Sequence, residues 1–158
     1  MHKYSTDEKA LREKENRLDA ILLELGSAVV AFSGGVDSTF LAYKAHRILG
    51  ESALAVTAMS STYPSRELEE AKALAARIGV KHVLIESEEL DIPGFRDNRP
   101  DRCYHCKREL FGKLTEIARD RGLKWVLDGS NATTFRITAR VWRRLKSLTF
   151  APRWFKQA

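Results

Sequence analysis

The chain has 158 residues, 44% of them hydrophobic and 30% charged, which fits one globular domain with a sizeable core rather than a disordered or fibrous chain. No apolar run is long enough to cross a bilayer, the first residues lack the apolar stretch of a signal peptide, and two cysteines make no disulfide framework, so the expected setting is cytoplasmic. The net charge of +6 is uneven: residues 133–158 hold Arg136, Arg140, Arg143, Arg144, Lys146, Arg153 and Lys156 with no acidic side chain, leaving 20 basic against 21 acidic residues in 1–132.

Residues from about Ser5 to Leu25 predict a charged amphipathic helix, with Leu11, Leu18, Ile21, Leu22 and Leu25 on one stripe and Gly26 at its end. Residues 28–32 form an apolar run that predicts a strand. Asp37 to about Leu49 predicts a helix closed by Gly50, and residues 53–58 a second strand. Pro64 suits the first turn of a helix to about Ile78 that buries Leu68, Ala71, Leu74, Ala75 and Ile78 and stops at Gly79. Residues 82–85 predict a third strand, and a polar loop extends from about Glu88 to Arg102. A helix from about Tyr104 to Arg121 would bury Leu110, Phe111, Leu114 and Ile117. Residues 125–127 predict a fourth strand, ending in Asp128-Gly129-Ser130-Asn131.

Strands alternating with helices predict an α/β fold: a doubly wound, Rossmann-like parallel sheet with helices on both faces. Ligands in such sheets bind outside the carboxyl ends of the strands, where the strand order reverses. The loop after strand one, Thr57–Ser60 after strand two, and Gly129–Asn131 after strand four should meet there.

The loop after strand one reads Ser33-Gly34-Gly35-Val36-Asp37-Ser38, and Thr39 comes next. Paired glycines let backbone N–H groups converge into a nest, and the helix beyond them adds the positive end of its dipole. The hydroxyls of Ser33, Ser38 and Thr39 could donate further bonds to an anion. Asp37 would repel bare phosphate, so its presence points to bound Mg²⁺. No G-x-x-x-x-G-K-[ST] occurs, so this is not a Walker loop. The plainer alternative is a tight glycine turn that only caps a helix.

A second motif, Arg102-Cys103-Tyr104-His105-Cys106-Lys107, sits where a helix begins. Arg102 and Lys107 could hold phosphate or a carboxylate. Cys103 and Cys106 are read first as residues lining the site, then as a reversible disulfide, and last as a zinc pair with His82 or His105. His46 reads as surface-facing, and Glu86, Glu88, Glu89 and Asp91 as a solvated acidic stretch.

The S-G-G-x-D-S loop resembles that of the ATP pyrophosphatase superfamily, whose fold is adenine nucleotide alpha-hydrolase-like. S-G-G-V-D-S, A-V-T-A-M-S-S-T-Y-P-S-R-E-L, I-G-V-K-H-V-L-I, R-C-Y-H-C-K-R-E-L-F and D-G-S-N-A together resemble the LarE family of ATP-dependent sacrificial sulfur transferases, from about residue 8 to Ala132. The resemblance implies adenylation of a carboxylate on a pyridinium mononucleotide, then transfer of sulfur from a protein cysteine, toward a nickel-pincer cofactor. It implies that Ser33, Gly34, Gly35, Asp37, Ser38 and Thr39 hold pyrophosphate and Mg²⁺, with Asp37 the metal ligand. Ala31, Phe32, Thr57 and Ser60 would frame the adenosine of ATP, and Arg102, Lys107, Gly129, Ser130 and Asn131 would line the substrate side. The family's sulfur-donor cysteine lies in its C-terminal half, and neither Cys103 nor Cys106 matches it.

After Ala132 the resemblance stops. The family continues with an acidic pair and D-Y-R-P-G-M, whereas this chain continues Thr133-Thr134-Phe135-Arg136. Codons chosen for residues 132–142, read one base before Thr133, spell D-D-F-P-D-Y-R-P-G-M, and the rest can encode A-A-A-K-E-L-D-V-R-S-P-L-V-Q-A in that frame. The expected organisation is a pyrophosphate-loop ATP-binding domain with its N-terminal helix over 1–132, and an out-of-frame tail over 133–158. The expected partner is a small-molecule nucleotide substrate, with neither nucleic acid nor membrane. The family is homo-oligomeric, through a C-terminal surface that this chain would lack. The alternatives are a tRNA-thiolating enzyme of the same superfamily whose basic, tryptophan-bearing tail grips RNA, and a nucleotide-binding remnant without catalysis.

Overall fold

The computed structural model describes residues 3–59, 64–87 and 102–129, with side chains at 8–59, 64–87 and 109–129. Helix α1 (Lys3–Leu25) leads into β1 (Ala28–Ala31), α2 (Val36–Leu49), a 3-10 turn (Gly50–Ser52) and β2 (Ala53–Met59). Helix α3 (Ser65–Ile78), β3 (Lys81–Glu86), α4 (Arg102–Asp120) and β4 (Trp125–Asp128) complete the order.

The four strands lie in the order β3-β2-β1-β4, and every pairing is parallel. Ala28 is in register with Ala53 on one side and Trp125 on the other, and Leu54 with Lys81. The chain steps outward from β1 to β2 to β3, then returns across β1 to place β4 on its far side. That reversal lies between β1 and β4, which makes the loops after those strands the edges of the crevice.

Strand alternation assigns each face of the sheet. Ala28, Val30, Phe32, Ala53 and Ala55 pack with Leu22 of α1, Ala42 and Ala45 of α2, and Ala71 and Ala75 of α3. Val29, Leu54 and Val56 face the other way and pack with Leu114 and Ala118 of α4. The small residues of α2 and α3 let both helices approach the sheet closely. Burying a Val or Leu side chain contributes roughly 1.5–3 kcal/mol, so the strand residues dominate the core. Pro64 precedes α3 in extended conformation, and the Gly79 N–H closes the helix on Ala75 and Ala76 carbonyls.

Two expectations change. Strand β1 ends at Ala31 rather than Phe32, although the Phe32 N–H still donates to the Val56 carbonyl at 2.8 Å. The α1 stripe is buried only in its second half: Leu18, Leu22 and Leu25 join the core, while Leu11 is 63% exposed. The polar loop expected over 88–102 lies outside the described residues except for Arg102, and the expected tail over 133–158 lies wholly outside them. Among the described residues no helix is long and apolar enough to cross a membrane.

Candidate functional site

Helix α2 begins one residue after Gly35, which caps it in extended conformation without a side-chain bond. Its first turn therefore presents backbone N–H groups outward, together with Asp37. The Thr39 N–H already donates to the Gly35 carbonyl at 2.9 Å.

Hydrogen bonds inside the loop form a closed ring whose directions emerge from counting protons. The Ser38 hydroxyl donates to the Gly35 carbonyl at 3.1 Å. Its oxygen then accepts from the Ser33 hydroxyl at 3.1 Å and from the Ser33 N–H at 3.3 Å. The Gly35 N–H donates back to Ser33 Oγ at 3.3 Å. Ser38 is buried, whereas Ser33, Gly35 and Asp37 are exposed. The two serines thus tie the loop to the start of α2, and Ser33 is the exposed member of the pair. The Thr39 hydroxyl oxygen is shielded and has no hydrogen-bond partner among the described residues.

Two glycines are required by close approach. Gly34 has φ +79°, and a Cβ there would lie 3.2 Å from Ala71 Cβ, so the loop is wedged against α3. A Cβ on Gly129 would lie 2.9 Å from both Ser38 N and Ser38 Cα. Gly129 therefore lets the end of β4 press against the start of α2. That contact brings the loops after β1 and β4 together, as the strand order requires.

Ala31 pairs with Val56 and Asp128 at the carboxyl edge, and Phe32 comes after it in the core. The buried Thr57 hydroxyl donates to the Phe32 carbonyl at 2.6 Å and lies 2.8 Å from His82 Nε2. The His82 ring meets the Phe32 ring edge-on, with centroids 5.4 Å apart. Burial first, and the Lys72 charge second, lower the His82 pKa, which favours the neutral ring. Sequence reasoning weighed His82 only as a zinc ligand. Its place behind Thr57 needs the register of β2 and β3, although the alternation that puts His82 on the Thr57 face was available.

Among the described residues no group of three or more His, Cys, Asp or Glu side chains could hold a metal ion. A Mg²⁺ at Asp37 needs no such group, because Mg²⁺ is commonly held by one or two carboxylates together with substrate phosphates. The exposed Asp37, in the first turn of α2, suits that oxygen-only chemistry. His46 is not surface-facing: its ring packs toward Gly79, with Nε2 3.4 Å from where a Cβ would stand and Nδ1 shielded. Glu86 is exposed as expected, whereas Glu88, Glu89 and Asp91 lie outside the described residues. So do Ser60, Ser130 and Asn131, and the side chains of Arg102, Cys103, His105, Cys106 and Lys107, although α4 carries the backbone of those five.

Comparison with known proteins bears on this site. The uncharacterised protein slr1717 of Synechocystis is 40% identical over 126 residues, 80% of this chain and 47% of that protein. The pyridinium-3,5-bisthiocarboxylic acid mononucleotide synthase of Lactiplantibacillus plantarum is 34% identical over 120 residues, 75% of this chain and 44% of the synthase. The chain thus spans about half the length of these relatives. Among solved structures, the glutamine-dependent NAD+ synthetase of Acinetobacter baumannii with bound ADP superposes with a TM-score of 0.61 at 16% identity, over 75% of this chain and 24% of that one. That likeness establishes the shared α/β fold. The NAD synthase family model matches residues 10–98, more than half of the chain, including β1, the glycine loop and α2. The chain belongs to the NAD synthase family.

Proposed function

We propose that this domain binds ATP at the loop 33–39 and directs cleavage between the α and β phosphates, adenylating the carboxylate of a pyridinium mononucleotide. The observation that carries the reading is the meeting of Gly129 with Ser38 at the start of α2, where outward backbone N–H groups stand at the reversal of strand order. The family match and the 34% identity to the mononucleotide synthase support it.

Backbone N–H groups of the α2 first turn would bind the pyrophosphate, with the Ser33 hydroxyl turning its proton from Ser38 to the anion, and Ala31, Phe32 and Thr57, with Ser60, would border adenosine. Asp37 would hold Mg²⁺, which when bound offsets phosphate charge. Arg102, Lys107, Ser130 and Asn131 would line the carboxylate side. Carboxylate attack on the α phosphorus forms an acyl–phosphate bond and breaks the α–β bridge, releasing pyrophosphate. Holding the pyrophosphate in line with the attacking oxygen is the loop's contribution.

On this reading residues 1–132 form the nucleotide-binding domain and 133–158 are translated out of frame.

The test incubates the 158-residue chain with Mg²⁺, ATP labelled at the α phosphate and nicotinic acid mononucleotide as carboxylate. Bound ATP, with label carried onto the mononucleotide carboxylate, or AMP from its hydrolysis, and pyrophosphate as the products of any turnover, supports the proposal. ADP and phosphate as products, or no ATP binding at millimolar concentration, overturns it.

A further inference from the structure

We propose that His82 is a positioning residue of the phosphate loop, acting through Thr57 to fix the plane of the Phe32–Ser33 peptide. The inference rests on the nucleotide reading for its role in binding, but the relay itself is a property of the unliganded chain.

The bonds connect proton by proton. Thr57 Oγ1 lies 2.6 Å from the Phe32 carbonyl oxygen, which can only accept. The single hydroxyl proton of Thr57 is therefore spent there. His82 Nε2, 2.8 Å from the same hydroxyl oxygen, must then be the donor. That assigns His82 the Nε2–H form, with its lone pair on Nδ1. The Phe32 ring, edge-on to the imidazole, restricts its rotation.

The consequence reaches the loop through peptide geometry. No described peptide is cis, so the Phe32 carbonyl and the Ser33 N–H point in opposite directions from one rigid plane. Holding the carbonyl on Thr57 aims the Ser33 N–H the other way, and there it meets Ser38 Oγ at 3.3 Å. Ser38 anchors the ring of bonds that ties the loop to the start of α2. His82 on β3, Thr57 on β2 and Phe32 after β1 thus form a line across the sheet that ends in the loop's first peptide. Thr57 without His82 could turn its proton elsewhere. With the Nε2–H facing its lone pairs, the proton is directed to Phe32.

The test compares the full chain with its His82→Ala, His82→Gln and Thr57→Val variants, each checked for a cooperative melt. Gln keeps an N–H donor, whereas Ala removes it. In the unliganded protein, long-range proton–nitrogen correlation should show His82 in the Nε2–H form. Ser33 and Gly35 amides should exchange about tenfold faster in His82→Ala and Thr57→Val, with Gln restoring protection to within about threefold. Inorganic pyrophosphate and Mg-ATP, titrated separately, should each bind about tenfold more weakly to His82→Ala, and Gln should recover most of that loss. An Nδ1–H form, or Ser33 exchange that His82→Ala leaves unchanged, overturns the relay. If the parent chain binds neither pyrophosphate nor ATP, the nucleotide reading fails, and the tautomer and exchange data still decide the relay.

Discussion

Among the described glycines, Gly129 leaves the least room for a side chain. The atoms a Cβ would meet are backbone, Ser38 N and Cα at 2.9 Å and Asp37 C at 3.0 Å, so no rotamer change relieves the contact. Gly129→Ala must push β4 away from the start of α2. The expected cost is about 1–3 kcal/mol of stability, with a larger proportional loss of ATP affinity. Calorimetric melting and ATP titration of one preparation check both, and an Ala variant with unchanged affinity would remove Gly129 from the site. Gly34→Ala meets a movable methyl on Ala71 but keeps a backbone at φ +79°, which costs about 1–2 kcal/mol. His82 makes a pH prediction with a definite sign. Its folded pKa lies below the ordinary 6.5, so the unfolded chain binds the proton more readily. Its contribution to stability is complete above pH 6.5 and is lost as pH falls through the folded value. Denaturant midpoints should drop below pH 6.5 less steeply in His82→Gln than in the parent. The glycine pair and its flanking serines were legible in the sequence because the motif is local. His82 was not, because its partner stands 25 residues away and is found only through strand register.

At the scale of elements, α1 and α2 are joined by a buried cation. The Lys44 side chain is 6% exposed, and its Nζ lies 2.6 Å from Asp19 and 2.8 Å from Glu15, both on α1. Hydrogen bonds to Asp19, then to Glu15, raise its pKa above 10.5. The stabilisation is therefore fully present below pH 10.5 and lost only as pH rises through the folded value. Lys44→Met keeps the stem packed and removes the charge, while the partly exposed carboxylates return to water. The expected loss is about 1–3 kcal/mol, and about the same at pH 7 and pH 9. Urea denaturation at both pH values measures it, and an unchanged midpoint would mean that α1 is held by Leu18, Leu22 and Leu25 alone. The sequence located every described helix and strand within about two residues, because 3.6-residue and two-residue periodicities are written locally. It misjudged Leu11, since periodicity marks an apolar face but not where its partner helix ends. Nothing local singles out Lys44, because only the α1–α2 packing shows which carboxylates surround it.

At the scale of the molecule, the order β3-β2-β1-β4 makes the crevice a junction of segments far apart in sequence, and Gly129 is the last described residue of the segment that closes it. On the proposed reading, the residues beyond Ala132 decide whether the site is complete, because the frame changes just after that alanine. The charge distribution agrees: a nearly neutral 1–132 gives way to seven basic and no acidic side chains. A shifted frame produces such a break without selection on the residues, whereas an RNA-gripping arm would need those residues to act together. The two accounts separate cleanly. Sequencing the gene across the codons for Asn131 to Arg136 should reveal a one-base change from a frame encoding D-D-F-P-D-Y-R-P-G-M. The parent chain read in that frame should bind Mg-ATP more tightly than the 158-residue chain, since it restores an acidic pair beside Asn131. An unbroken frame whose neighbour does not encode those words would reject the shift. Strongly salt-dependent RNA binding, with a log–log slope of about −0.7 per phosphate contacted, would then mark the basic segment as a functional arm.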